Sequence, residues 1–187
     1  MTALKFIRHK ESGEITRSIE QPLIGRKKHI HLDSEGNILP EYEYLSQDEI
    51  NVIILPELKE HKKKLAKIFR DEELLKSHPQ TVSAFIGTEL ENVNFKIKKE
   101  DKAEFVSNTL TMTDEQTRGW NDADGIRRNL TKSNFNSLLS HLNNRDNNCY
   151  NQEALKAMAI EEINPSETKT LQEAVDEVMA FNVENDI

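Results

Sequence analysis

The chain has 187 residues, a formal charge of −8, and 31% charged against 36% hydrophobic residues. No apolar run approaches the ~18 residues of a membrane span, and a single cysteine, Cys149, excludes a disulfide scaffold and fits a reducing compartment. Net acidity counts against a nucleic-acid partner, which needs clustered Lys and Arg, and the runs Arg26-Lys27-Lys28 and Lys62-Lys63-Lys64 are short enough to be solvated faces.

Residues 1–45 read as β. Leu4–Ile7 and Ile15–Ile19 flank a turn at Glu11–Glu14, and Lys28–Leu32 alternates polar with apolar before a second turn and a return over Ile38–Tyr44. Pro40 assigns that return to an edge. Two hairpins with so few large residues are marginal alone, so they are expected to dock on something else. Phe6, Ile7, Tyr42 and Tyr44 are the candidate partner-binding residues, by sheet addition or aromatic anchoring. The N-terminus has no apolar core of a secretory signal.

Ser46-Gln47-Asp48-Glu49 is a capping box that opens a helix. Pro56 is expected to interrupt it, with a new helix starting there. From Glu57 to Ser77 the pattern is long and near-heptad, with Leu58, Leu65, Ile68 or Phe69, and Leu75 expected inward against a charged face. His61 and Glu72 stand where a coiled coil wants apolar residues. Packing against its own domain is the preferred reading, and a homo-oligomer through the 57–77 helix is the alternative.

Pro79 ends that helix. Val82–Gly87 and Asn92–Ile97 predict a small hairpin, and Lys99–Leu110 a short helix. Thr111–Arg118 is linker-like. Trp120 then precedes the turn Asn121–Gly125 and a helix capped by Thr131 or Ser133, in which Phe135, Leu138, Leu139 and Leu142 form one apolar stripe. Trp120 and those four residues are assigned to the structural core. Asn143–Asn148 reads as a loop, Tyr150–Ile163 as a helix carrying Leu155, Met158, Ala159 and Ile163, and Thr170-Leu171-Gln172-Glu173 as a second capping box opening a last helix with Leu171, Val175 and Val178 inward.

Chemistry is sparse. His29 and His31 share a strand face, and with Glu41 or Glu43 across the hairpin a surface Zn²⁺ site is geometrically conceivable. An ordinary solvent-facing strand is the plainer reading. Asp122-x-Asp124-Gly125 fails as a calcium loop, because Trp120 and Thr131 fall where ligands are required. Cys149 has no basic sequence neighbour to activate it. No P-loop, dinucleotide fingerprint, GxSxG, HExxH or CxxC occurs, so no cofactor, metal or catalytic residue is expected. A small metal-dependent hydrolase assembled from distant acids is the outlying alternative.

The order of elements, and above all the run Trp120-x-Asp122-x-x-Gly125 … Leu130-Thr131-x-x-x-Phe135-x-x-Leu138-Leu139, resembles an uncharacterised domain of tailed bacteriophages and prophages, found in proteins encoded near tail-fibre genes. The similarity spans about residues 58–181 and departs in the Lys98–Asp114 spacer and the Asn-rich segment. It implies a non-enzymatic virion component or assembly factor with a tail-fibre or baseplate protein as partner, in the virion tail or the host cytoplasm during assembly. It carries over no catalytic residue. A host-directed effector that binds a bacterial protein is the other reading.

The expected fold is α+β: a β-rich attachment module (1–45), connecting helices (46–78) and a mainly helical C-terminal domain with a small hairpin (79–187).

Overall fold

The computed structural model describes residues 5–18, 37–86 and 89–186. The fold is α+β, with the elements β1 (Lys5–His9), β2 (Ile15–Ser18), β3 (Tyr42–Tyr44), α1 (Gln47–Leu75), β4 (His78–Ile86), β5 (Glu89–Ile97), a 3-10 turn (Lys99–Asp101), α2 (Lys102–Thr111), β6 (Thr117–Asn121), β7 (Arg127–Thr131), α3 (Lys132–Glu162) and α4 (Leu171–Ala180). The chain divides into two compact units: Met1–Glu60 with Ile163–Ala180, and His61–Glu162 with Phe181–Ile187.

In the first unit three antiparallel strands lie in the order β2-β1-β3. The β1–β2 turn closes through Gly13, whose φ of 70° suits a residue without Cβ, and its N–H donates to the His9 carbonyl at 2.8 Å. β3 runs along the other side of β1, with Ile7 opposite Tyr44 and His9 opposite Tyr42. The expected return strand Ile38–Tyr44 is thus three residues long, at an edge as Pro40 implied; Lys28–Leu32 lies outside the described residues.

Both capping boxes form as their spacing dictates. The Ser46 N–H and hydroxyl each donate to Glu49 Oε2 at 2.9 Å, and those of Thr170 donate to Glu173 Oε2 at 2.7 and 2.8 Å. Asn51, fully buried on α1, accepts from Gln47 Nε2 and donates to Gln172 Oε1 on α4. Lys59 donates to Asn164 Oδ1 at 2.8 Å. Ala174, Val175 and Val178 bury the inward face of α4. Leu171 is only half-buried.

α1 passes through Pro56 without a break, contrary to the expected interruption. A proline inside a helix removes one hydrogen bond, here to the carbonyl of Val52. Val52 is exposed, so that carbonyl can turn to water.

The second unit holds the main core. β5 alternates cleanly, with Val93, Phe95 and Ile97 buried and Asn94 and Lys96 exposed. They pack with Val82, Phe105, Met112, Leu130, Phe135, Leu138 and Leu142, while Trp120 and Leu139 pack partly buried against the same cluster. Trp120 meets Phe105 edge-on, ring centroids 4.9 Å apart, and Phe135 at 6.2 Å.

The segment around Trp120 is itself a hairpin that the sequence reading took for linker and loop. β6 and β7 pair from Thr117↔Thr131 to Asn121↔Arg127. Asp122 organises the turn: its carboxylate accepts from the Asp124 and Ile126 N–H groups at 3.0 and 2.8 Å and from Arg128 Nε at 2.8 Å. Gly125 supplies the positive φ of 81°. The Ala123 N–H donates to the Asn94 carbonyl and ties the turn to β5.

Thr131 is the N-cap of α3, with Asn134 in the acidic partner's place; the Thr131 N–H and hydroxyl each donate to Asn134 Oδ1 at 2.9 Å. α3 then runs unbroken through Asn143–Asn148, where a loop was expected. Asparagine costs a helix only about half a kcal/mol per residue, and packing on this stretch outweighs that. Arg145 reaches the end of α1, and Lys102 of α2 pairs with Asp146 at 3.4 Å. In the last turns Lys156 and Ile160 face inward, whereas Leu155 and Met158, expected on the apolar face, are exposed.

Candidate functional site

From His61 to Leu75, α1 carries apolar residues on two opposite faces. Ala66 and Leu74 are buried, with Phe69, Arg70 and Glu73 half-buried beside them. At ~100° per residue the opposite side of the helix is marked by His61, Leu65, Ile68, Glu72 and Leu75, separated by alternating steps of four and three residues. Leu65, Ile68 and Leu75 are 37%, 52% and 65% exposed. The sequence reading placed these three inward. The covered side of this stretch is the one that carries Ala66 and Leu74, where Arg70 binds Glu153 of α3, and Leu65, Ile68 and Leu75 lie on the other side of the helix.

This outward stripe is one helical face wide, the geometry of a coiled-coil seam. Exposed Lys64 and Asp71 border it on one side. Asp71 Oδ1 accepts from Arg70 Nε at 3.0 Å and from Nη2 at 2.6 Å, and its side chain is 55% exposed. The stripe is thus a narrow apolar line, with His61 and Glu72 in it and charges along its edge.

The inward side borders a cleft of about 410 Å³ lined by Phe69, Arg70, Glu73, Cys149, Glu153 and Lys156. Arg70, Glu73, Glu153 and Lys156 each have a partner. Arg70 binds Glu153 and Asp71, and its guanidinium sits 4.7 Å from the centre of the Tyr150 ring. Lys156 Nζ donates to the Val183 carbonyl and stands 4.9 Å from the centre of the Phe69 ring. Burial pushes the Cys149 thiol above its ordinary pKa, with Arg145 and Arg70 opposing too weakly to reverse it. A raised thiol is the reverse of an activated nucleophile. These groups hold α1, α3 and the Phe181–Ile187 segment together.

Comparison with protein-family models, curated proteins and solved structures returns no match to this chain. Function must therefore be argued from the residues.

Among the residues expected to bind a partner, Phe6 and Ile7 are 3% and 1% exposed and belong to the interior of their unit, which corrects their placement on a docking surface. They are neighbours on the central strand β1, so their side chains leave opposite faces and both are covered. Tyr42 is half-buried against the His9 ring at 5.1 Å, and Tyr44 is 44% exposed. His29 and His31 lie outside the described residues. Glu41 is exposed and Glu43 pairs with Arg8 at 3.3 Å. Among the described residues no three His, Cys, Asp or Glu side chains converge as a metal site, and no helix is long and apolar enough to cross a membrane.

The near-heptad spacing of 57–77 is legible in the sequence; that Leu65, Ile68 and Leu75 face outward is what the structure adds.

Proposed function

We propose that this chain acts without catalysis, through protein–protein contacts, as a structural or assembly protein associated with the tail or tail fibre of a bacteriophage. The observation that carries the contact role is the outward stripe of Leu65, Ile68 and Leu75, apolar surface that the chain's own core leaves uncovered. The tail setting is supported by the resemblance in the Trp120–Leu139 run, whose residues are turn and packing groups. The expected partners are a tail-fibre or baseplate protein and a second copy through the 57–77 helix. The chain works in the virion tail or in the host cytoplasm during assembly.

Quantitative peptide mass spectrometry on purified tailed particles from the source strain tests this, together with affinity capture from infected cells. A fixed small copy number in particles, or a stoichiometric complex with a fibre or baseplate protein in the lysate, is the expected result. Absence from both, with the chain expressed and bound to a bacterial protein instead, overturns the tail reading in favour of a host-directed effector.

A further inference from the structure

Resting on the reading of α1 as an association helix, we infer that the face His61–Leu75 pairs with the same face of a second copy, antiparallel, about a two-fold axis between Leu65 and Ile68. The argument is one of spacing. Two helices meeting along a seam can run parallel or antiparallel, and the polar residues in the seam decide between them.

In a parallel pair each seam residue meets its own copy. His61 then faces the partner's His61, and Glu72 faces the partner's Glu72, placing two carboxylates together in a partly desolvated layer. In the antiparallel pair, Leu65 lies opposite the partner's Ile68, and Ile68 opposite the partner's Leu65. His61 precedes Leu65 by four residues and Glu72 follows Ile68 by four. The same register therefore sets His61 opposite the partner's Glu72 at both ends, where an imidazole N–H donates to a carboxylate.

The flank follows the same rule. Lys64, one residue before Leu65, comes beside the partner's Asp71, whose side chain is more than half exposed although Oδ1 also accepts from Arg70. Two Lys–Asp pairs form, and Leu75 lengthens the apolar seam at each end. A face that answers itself when reversed is what an isologous two-fold contact requires. In this stretch the buried aliphatic residues, Ala66 and Leu74, face the opposite way, and Leu65, Ile68 and Leu75 are exposed.

The seam is short. Two helices of this length bury less than the roughly 1,200 Å² of a standard interface, so the dimer is weak and concentration-dependent, with a dissociation constant of about 1–100 µM.

The test uses the full chain, by sedimentation equilibrium over about 1–200 µM. Ile68→Glu is expected to raise the dissociation constant at least about tenfold. Lys64→Asp alone and Asp71→Lys alone each weaken the dimer several-fold, and the double variant returns to within about twofold of the parent, as a cycle for directly paired charges requires. Ile68 and Lys64 are exposed; Asp71 also pairs with Arg70, so Asp71→Asn serves as the control for that loss, and melting curves check that each variant folds. A chain monomeric at every concentration overturns the inference, as does a dimer indifferent to Ile68→Glu. A double variant as weak as the singles overturns the antiparallel register, since in a parallel pair Asp71 lies beside the partner's Lys76 and reversal restores nothing. A monomer that still binds a fibre protein, and loses it on Ile68→Glu, overturns self-pairing while the proposed function stands.

Discussion

Arg145, in the middle of α3, donates from Nη2 to the carbonyl of Leu74 at 3.3 Å and from Nη1 to that of Lys76 at 3.2 Å. The last turn of α1 holds no basic residue of its own, so this guanidinium supplies the cation that a helix C-terminus favours and satisfies carbonyls that have no partner within the helix. Arg145→Ala is expected to cost about 2 kcal/mol in urea unfolding. Arg145→Lys recovers less than half, because an ammonium cannot span two carbonyls as a planar fork does. An alanine variant as stable as the parent would remove Arg145 from this role.

Phe135 is fully buried between Phe105 and Trp120. Phe135→Ala should cost on the order of 3–5 kcal/mol. The loss can be followed by the fluorescence of Trp120, the sole tryptophan, which is expected to shift to the red as its neighbour is removed. A loss below about 1 kcal/mol would show that the Phe135 stripe does not form the core.

Glu49 gives the first unit an acid-dependent stability. The Arg8 guanidinium and the Ser46 cap hold its carboxyl at about 2, against an ordinary 4.5. A group whose pKa is lower in the folded state stabilises fully above its unfolded value and stops doing so as pH falls through the folded one. The contribution is therefore present at neutral pH and is lost between about 4.5 and about 2. Glu49→Gln should melt lower than the parent at pH 7, with the gap closing through that window. A constant gap would mean that the charge is irrelevant.

Cys149 should react slowly. Its thiol is half-buried and its pKa is pushed up by burial, so alkylation of the folded chain at neutral pH is expected to run slower than that of the chain unfolded in urea. Faster labelling of the folded chain would reveal an activated thiol and reopen the cleft as a catalytic site.

Local signals were legible where both partners lie within four residues. Ser46 with Glu49, Thr170 with Glu173, and the Phe135–Leu142 stripe each carry their own chemistry, and each lies where its spacing places it. The β6–β7 hairpin was not legible, because Arg118, Arg127 and Arg128 break the expected alternation. The turn Asn121–Gly125 between the strands was legible, and Asp122 closes it with its own carboxylate while Gly125 takes the positive φ. The continuity of α3 through its asparagines was not legible either, since the contacts that outweigh propensity there come from α1 and α2. For α1 the seam spacing was visible, but which of its two apolar faces turns inward is decided by partners distant in sequence, such as Glu153 for Arg70. That is a property of the assembled unit.

The joining of Ile163–Ala180 to Met1–Glu60 has a consequence during synthesis. A ribosome delivers the first unit's strands and the start of α1 early, yet Gln172, the acceptor for the buried Asn51 side-chain amide, emerges only after the whole of His61–Glu162. The second unit's core can assemble while the first still lacks α4. Until then the Asn51 amide, at the start of α1, has only water to donate to.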